Sequence, residues 1–167
     1  MSSNLSLRRA IEANTKEFLT SPRVAAERND PTVLSRTLTQ DCRRKIVPAS
    51  FMLSIGVTNP NQGFTNEQAQ QAFSENIKVS SVESIDVHRL CVDEAARASA
   101  ACTGTVLLFR DGERLRLETA WFLDFVDDGS RIKRIVEFCG EQAAHRRVDK
   151  TVRLLQERGA LNASLIG

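Results

Sequence analysis

Three places in this sequence set a chemically capable side chain in an unusual context. Glu137 stands inside the apolar run IVEF, Arg43 and Arg44 interrupt DCRRKIVPASF, and His88 lies in VESIDVHRL. A carboxylate that faces an apolar interior is poorly solvated, the condition under which it can give or take a proton near neutral pH. A guanidinium beside it can hold it ionised or steady an oxygen that gains negative charge. The chain has no tyrosine and only two histidines, so acid–base work falls mainly on carboxylates. One strong acid–base group suits proton removal and return at carbon, or acid-triggered ring opening and closure.

Whether Glu137 faces inward is a question of strand register. Asp111-Gly112, between VLLFR and ERLRL, is a strong hairpin signal. Read as a two-residue loop, it pairs Leu108 with Leu115, Val106 with Leu117, Gly104 with Thr119 and Cys102 with Trp121 on an apolar face, which is then the inner one. Asp127-Asp128-Gly129 fits a three-residue loop with glycine in the left-handed position, which sets Leu123 against Lys133, Trp121 against Ile135 and Thr119 against Glu137. Glu137 is then inward. A two-residue loop at Asp128-Gly129 would slip the register by one and send Glu137 outward beside Ala120. Alternation lets only one of Arg43 and Arg44 face inward. His88 shares its face with Asp86, opposite Ile85 and Val87, which favours an exposed or subunit-contact position over a catalytic one.

The elements that must position these residues can be read from periodicity. Leu7, Ile11, Asn14 and Phe18 recur at helical spacing. Ser21-Pro22 and Asp30-Pro31 each place a capping side chain before a proline, which predicts short helices from about 22 to 28 and from 31 to 38. The segment CRRKIVPASFML reads as extended with Pro48 at a bend, and SIGVTNPNQG (54–63) as a loop. Thr65 and Gln68 form a capping box for a helix carrying Ala69, Ala72 and Phe73, so loop and helix could cover a site. Strands follow from Ile77 to Gly140. A C-terminal amphipathic helix, about 141–158, sets Ala144, Val148, Val152 and Leu155 on one stripe and a charged, solvated face opposite, with His145, beside Arg146 and Arg147, reading as surface. The pattern is α+β: a strongly curved antiparallel sheet with helices on its concave side, forming a cone with a central pocket.

The 167 residues suit one domain, 1–167, with 41% hydrophobic and 26% charged residues, as in an ordinary globular protein. There are 23 Lys and Arg against 21 Asp and Glu, a formal charge of +2 spread along the chain, so there is no electrostatic case for nucleic acid. No apolar run is long enough to cross a bilayer and none resembles a secretory leader, which points to the cytoplasm. Cys42, Cys91, Cys102 and Cys139 lack metal-site spacing and read as buried reduced thiols. Neither a phosphate-binding glycine loop nor a nucleophile elbow is present.

The order of elements, with DCRRKIVPASF near the first strand and WFLDFVDDGSRIKRIVEF at the end, resembles a fungal SnoaL-like protein of the nuclear-transport-factor-2-like (NTF2-like) superfamily over about Leu5 to Arg147. The resemblance implies an α+β cone, usually a homodimer, acting without cofactor on polyketide, meroterpenoid or indole-alkaloid intermediates as a cyclase, isomerase, dehydratase or rearrangement catalyst. Glu137 and Arg44, or its neighbour Arg43, match positions that some relatives use. Tyrosines that others use fall where this chain has Leu115 and Thr119, which excludes a phenol-dependent mechanism. The expected catalytic set is Glu137, Arg44, Arg43 and His88. A small hydrophobic biosynthetic intermediate would be held by Trp121, Thr119, Leu117, Leu115, Val106, Ile135 and Phe51. The alternative is a binding or protein-interaction module of the same fold.

Overall fold

The computed structural model describes residues 2–159. In chain order the elements are helix α1 (Ser2–Arg28), a 3-10 turn (Pro31–Ser35), strand β1 (Leu38–Val47), helices α2 (Ala49–Ser54) and α3 (Asn66–Ile77), strands β2 (Ser80–Asp93), β3 (Ala98–Phe109), β4 (Arg114–Phe125) and β5 (Ile132–Cys139), and helix α4 (Glu141–Glu157). The curved, unclosed sheet has the order β1-β5-β4-β3-β2. The four later strands form an antiparallel meander, whereas β1 lies parallel to β5. The sheet is therefore mixed at one edge rather than wholly antiparallel.

Helix α1 is one continuous element, not a helix ended and restarted at Pro22. Pro22 has no N–H for the Phe18 carbonyl one turn back, and the Ser21 hydroxyl donates to that carbonyl instead, at 2.7 Å. Ser21 thus repairs the helix where a capping role was expected. Asp30 does cap the 3-10 turn, accepting from the Thr32 N–H at 3.0 Å, but the turn ends at Ser35, earlier than expected. The chain turns again at Val47–Pro48, a cis peptide, and Ala49–Ser54 is helical rather than extended. The capping box that starts α3 is present in both directions between Thr65 and Gln68.

Both hairpin loops are one residue longer than the sequence suggested. In the first, the Phe109 N–H bonds the Glu113 carbonyl and the Gly112 N–H bonds the Phe109 carbonyl, each at 2.9 Å, with Gly112 at φ 89°. Arg110 therefore belongs to a three-residue loop, and Leu107, not Leu108, faces Leu115. Every β3 side chain lies on the opposite face from the expected one, and Val106 pairs with exposed Arg116 on the outer face. In the second, Val126 pairs with Arg131 around the four residues 127–130, and the register slips once more between Asp124 and Phe125, where Lys133 and Arg134 are both exposed. The two single steps sum to two. Parity is restored, so Glu137 keeps the inner face, opposite Trp121 rather than Thr119.

On that inner face Ile11, Phe18 and Leu19 of α1 pack against Leu123, Phe125, Ile132 and Ile135. Leu154 and Leu155 of α4 pack against Val79, Leu107, Phe109 and Leu115. A smaller cluster joins Phe51 and Met52 of α2 to Ala144 of α4, with Ile46, Phe64, Cys139 and Val148 around it. The buried stripe of α4 runs through Ala144, Thr151, Leu154 and Leu155, and Val152 is exposed. Of the four cysteines only Cys42 is buried; Cys102 and Cys139 are half-buried and Cys91 is exposed, on the outer face. Among the described residues no helix is long and apolar enough to cross a membrane.

Candidate active site

The site lies where β1 and β5 run side by side. Parallel register places Arg44 beside Ile135 and Ile46 beside Glu137, and alternation puts all four on the inner face. Arg44 and Glu137 are thus diagonal neighbours, with Arg44 Nε 3.4 Å from Glu137 Oε2 and side-chain exposures of 21% and 15%. That Nε–H is buried and has no hydrogen-bond acceptor among the described residues, because the carboxylate oxygen is off its axis. The pair is in Coulombic contact, and a guanidinium donor remains uncommitted.

Aromatic side chains hold the guanidinium from the other side. Its central carbon lies 5.4 Å from the Phe18 ring centre and 5.2 Å from that of Trp121, within cation–π range. Phe18 and Trp121 meet edge to face at 5.5 Å. The Trp121 indole N–H donates to the Thr103 hydroxyl at 2.9 Å, which fixes the ring's orientation. Thr103 itself is buried, and a buried hydroxyl pair, Thr15 and Ser99 at 2.7 Å, ties α1 to the same face of β3.

The Arg44 backbone is fixed from both edges of its strand. On one side is β5; on the other, the Arg44 N–H bonds the Phe64 carbonyl at 3.0 Å and the Phe64 N–H bonds the Arg44 carbonyl at 2.8 Å. Asn66 adds a side-chain bond to the Thr39 carbonyl at 2.9 Å. The segment between α2 and α3 is therefore stitched to the strand that carries the arginine. Gly63, at φ 71°, makes the approach possible: a Cβ there would sit 3.1 Å from the Arg44 carbonyl oxygen.

Arg147 of α4 is a residue that sequence reasoning did not single out. It lies on the helix stripe of Ala144, Val148 and Thr151, one turn from Ala144, and is half-buried. Burial pushes its pKa down, the Glu137 charge raises it, and the nearby Arg44 lowers it again, which places three charged groups in one neighbourhood. The i, i+3, i+4 spacing from Ala144 was the available signal. Cys139 borders the same group, its thiol pKa raised by burial and then by Glu137. Burial pushes the Cys42 thiol up to about 11, so it is no nucleophile at neutral pH.

The other expected residues are distributed as follows. Trp121 and Ile135 adjoin the pair, and Thr119 follows on the inner face, between Thr103 and Cys139. Leu115 and Leu117 belong to the α4 cluster, and Phe51 lies between α2 and α4. Val106 faces outward, Arg43 is exposed, and His88 is exposed on the outer face beside Cys102. His145 is half-buried, edge-on to Phe51 at 4.9 Å and 3.2 Å from the Ser54 hydroxyl. A cavity of about 10 Å³, the space of one water, is bounded by Phe18, Leu34, Arg44, Asn66, Ala69 and Ile135.

The fold has solved counterparts. BvnE pinacolase from Penicillium brevicompactum superposes with a TM-score of 0.70 at 15% identity, covering 88% of this chain and 94% of that one. PrhC from Penicillium brasilianum gives 0.66 at 18% identity, covering 93% of each chain. An NTF2-like protein of unknown function from Burkholderia pseudomallei gives 0.54 at 13% identity, covering 81% of this chain and 97% of that one. The sequence matches no protein-family model and no curated protein. At these identities the likeness is one of fold: a curved sheet and helices in the NTF2-like arrangement.

Proposed function

We propose, taking the NTF2-like cone as the premise, that this chain is a cofactor-independent cyclase or isomerase of fungal-type natural-product biosynthesis, acting on a polyketide, terpenoid or alkaloid intermediate. One observation carries the reading: a carboxylate and a guanidinium with an uncommitted N–H, 3.4 Å apart, set together in an aromatic-walled interior. Glu137 takes a proton from a carbon next to a carbonyl; the electron pair of that C–H bond becomes a carbon–carbon π bond as the carbonyl π pair moves onto oxygen. Arg44 Nε–H donates to the oxygen as its charge grows, and Glu137 returns the proton at another position. No electrons are gained or lost overall. That one structural neighbour is a pinacolase supports the broader reading of an isomerase-type role. Trp121 and Phe18 would hold a flat or polycyclic body against the pair.

The test needs a substrate, which the producing organism supplies. Deleting the gene should make one intermediate accumulate, and the purified protein should convert it. Glu137→Gln should abolish that conversion with an unchanged thermal midpoint; undiminished turnover would sink the proposal.

The second reading, a non-catalytic binding or interaction module, is favoured by the cavity of only about 10 Å³. It predicts ligand binding without chemical change, retained in Glu137→Gln. Under either reading a second copy would cover the outer sheet face, where Phe122 and Phe138 are 53% and 52% exposed.

A further inference from the structure

The charge balance at the site carries the proposed function one step further. Ala144 and Val148, on the α4 stripe that carries Arg147, pack in one cluster with Ile46, the strand partner of Glu137, and with Cys139, so Arg44 and Arg147 share the neighbourhood of one carboxylate and leave one positive charge over. No other carboxylate supplies the balance: Glu141 and Asp149 are exposed to solvent, Asp111 and Glu113 take Lys150, and Glu118 takes Arg116. Among the described residues Arg147 makes no hydrogen bond and no ion pair, and Arg44 Nε lacks an acceptor. Arg44 Nε is cut off from water and Arg147 is half-buried, so the surplus positive charge has a free-energy cost that a bound anion would offset.

We propose that Arg44 and Arg147 together form an anion subsite beside Glu137, and that the substrate therefore carries an ionised oxygen group, a carboxylate or an acidic enolate, on an apolar body. This rests on the reading of the cone as a small-molecule site. Arg44 meets the anion with its free Nε–H, and Arg147 closes on it from α4, which leaves Glu137 facing the adjacent carbon. Two planar guanidinium groups on one oxyanion give bidentate geometry as well as charge, which selects against a neutral isostere.

Isothermal titration calorimetry in low-chloride buffer tests this with three probes of similar shape: cyclohexanecarboxylate, the dimedone enolate and neutral cyclohexanecarboxamide. The anions should bind at least tenfold more tightly than the amide, and the stronger of the two identifies the group. Arg147→Gln should erase most of that preference, and Arg147→Lys, which keeps the charge, should retain part of it; thermal unfolding confirms that each variant folds. Equal binding of amide and anions, an undiminished preference in Arg147→Gln, or no binding of any probe would overturn the subsite. The two proposals fail separately. Loss of turnover in Glu137→Gln alongside equal probe binding removes the anion subsite alone, whereas full turnover in Glu137→Gln with the preference intact removes only the acid–base role.

Discussion

Arg44 and Phe64 exchange two backbone hydrogen bonds, 3.0 Å and 2.8 Å long, as an isolated antiparallel bridge on the free edge of β1. The bridge places the end of the α2–α3 connection directly on the residue whose side chain meets Glu137. Thr65 and Asn66, which follow Phe64 directly, line the one-water cavity beside Arg44, so the bridge fixes one wall of that cavity as well as the edge of the sheet.

Gly63 is the position to test first. It combines φ 71° with a would-be Cβ 3.1 Å from the Arg44 carbonyl oxygen. Gly63→Ala should cost about 1–3 kcal/mol, the usual penalty for a non-glycine residue held in the left-handed region. At this chain length that lowers the thermal midpoint by roughly 2–4 °C per kcal/mol. Gly56, which also has positive φ but meets nothing within 4 Å, provides the control. Its alanine variant should lose less, and equal losses at the two positions would show that the Arg44 contact plays no part.

The Arg44–Glu137 pair should behave as a coupled unit. Replacing Arg44 with Met leaves Glu137 with only the more distant Arg147, and breaking a buried pair by removing one partner costs on the order of 3 kcal/mol. Replacing Glu137 with Leu at the same time removes the stranded carboxylate, so the double variant should be more stable than Arg44→Met alone. Urea unfolding of the four proteins in this cycle gives the coupling free energy. Additive losses would mean that the 3.4 Å approach carries no energetic weight.

Acid should loosen α4 through Lys150. This lysine is 6% exposed, 2.6 Å from Asp111 Oδ2, and also pairs with Glu113. Its hydrogen bonds hold both carboxyls below their ordinary values. Depressed folded-state pKa values contribute stability above the unfolded values near 4, and that contribution disappears as pH falls through the folded ones. Thermal midpoints should therefore drop from about pH 5 downward, and Lys150→Met should show a shallower drop. The raised Lys150 pKa adds stability that is complete at neutral pH and is lost only as pH rises through its folded value, above the usual lysine range. Identical pH profiles for the two proteins would exclude this tether.

The inner face of β4 was legible because Leu115, Leu117, Thr119 and Trp121 alternate with Arg114, Arg116 and Glu118, and no other face can be buried. The same evidence was ambiguous for β3, where Ala, Cys, Thr, Val and Leu suit either face; there the loop length decided, and a single extra loop residue turned Val106 outward. Glu137 kept its direction because two separate one-residue steps, a longer loop and a slip near Phe125, add to an even number. The capping box at Thr65 was readable because it is local. The parallel pairing of β1 with β5 and the inward turn of Arg147 were not, since both depend on packing between distant segments.

That pairing also sets when the site can exist. Arg44 and Glu137 are 93 positions apart, and the strand carrying the arginine has no partner in the sheet until β5 is in place. On a ribosome, α1 to β4 would leave the exit tunnel before the pair could meet. The carboxylate–guanidinium pair is thus withheld from every shorter nascent chain, and its assembly marks the completion of the sheet.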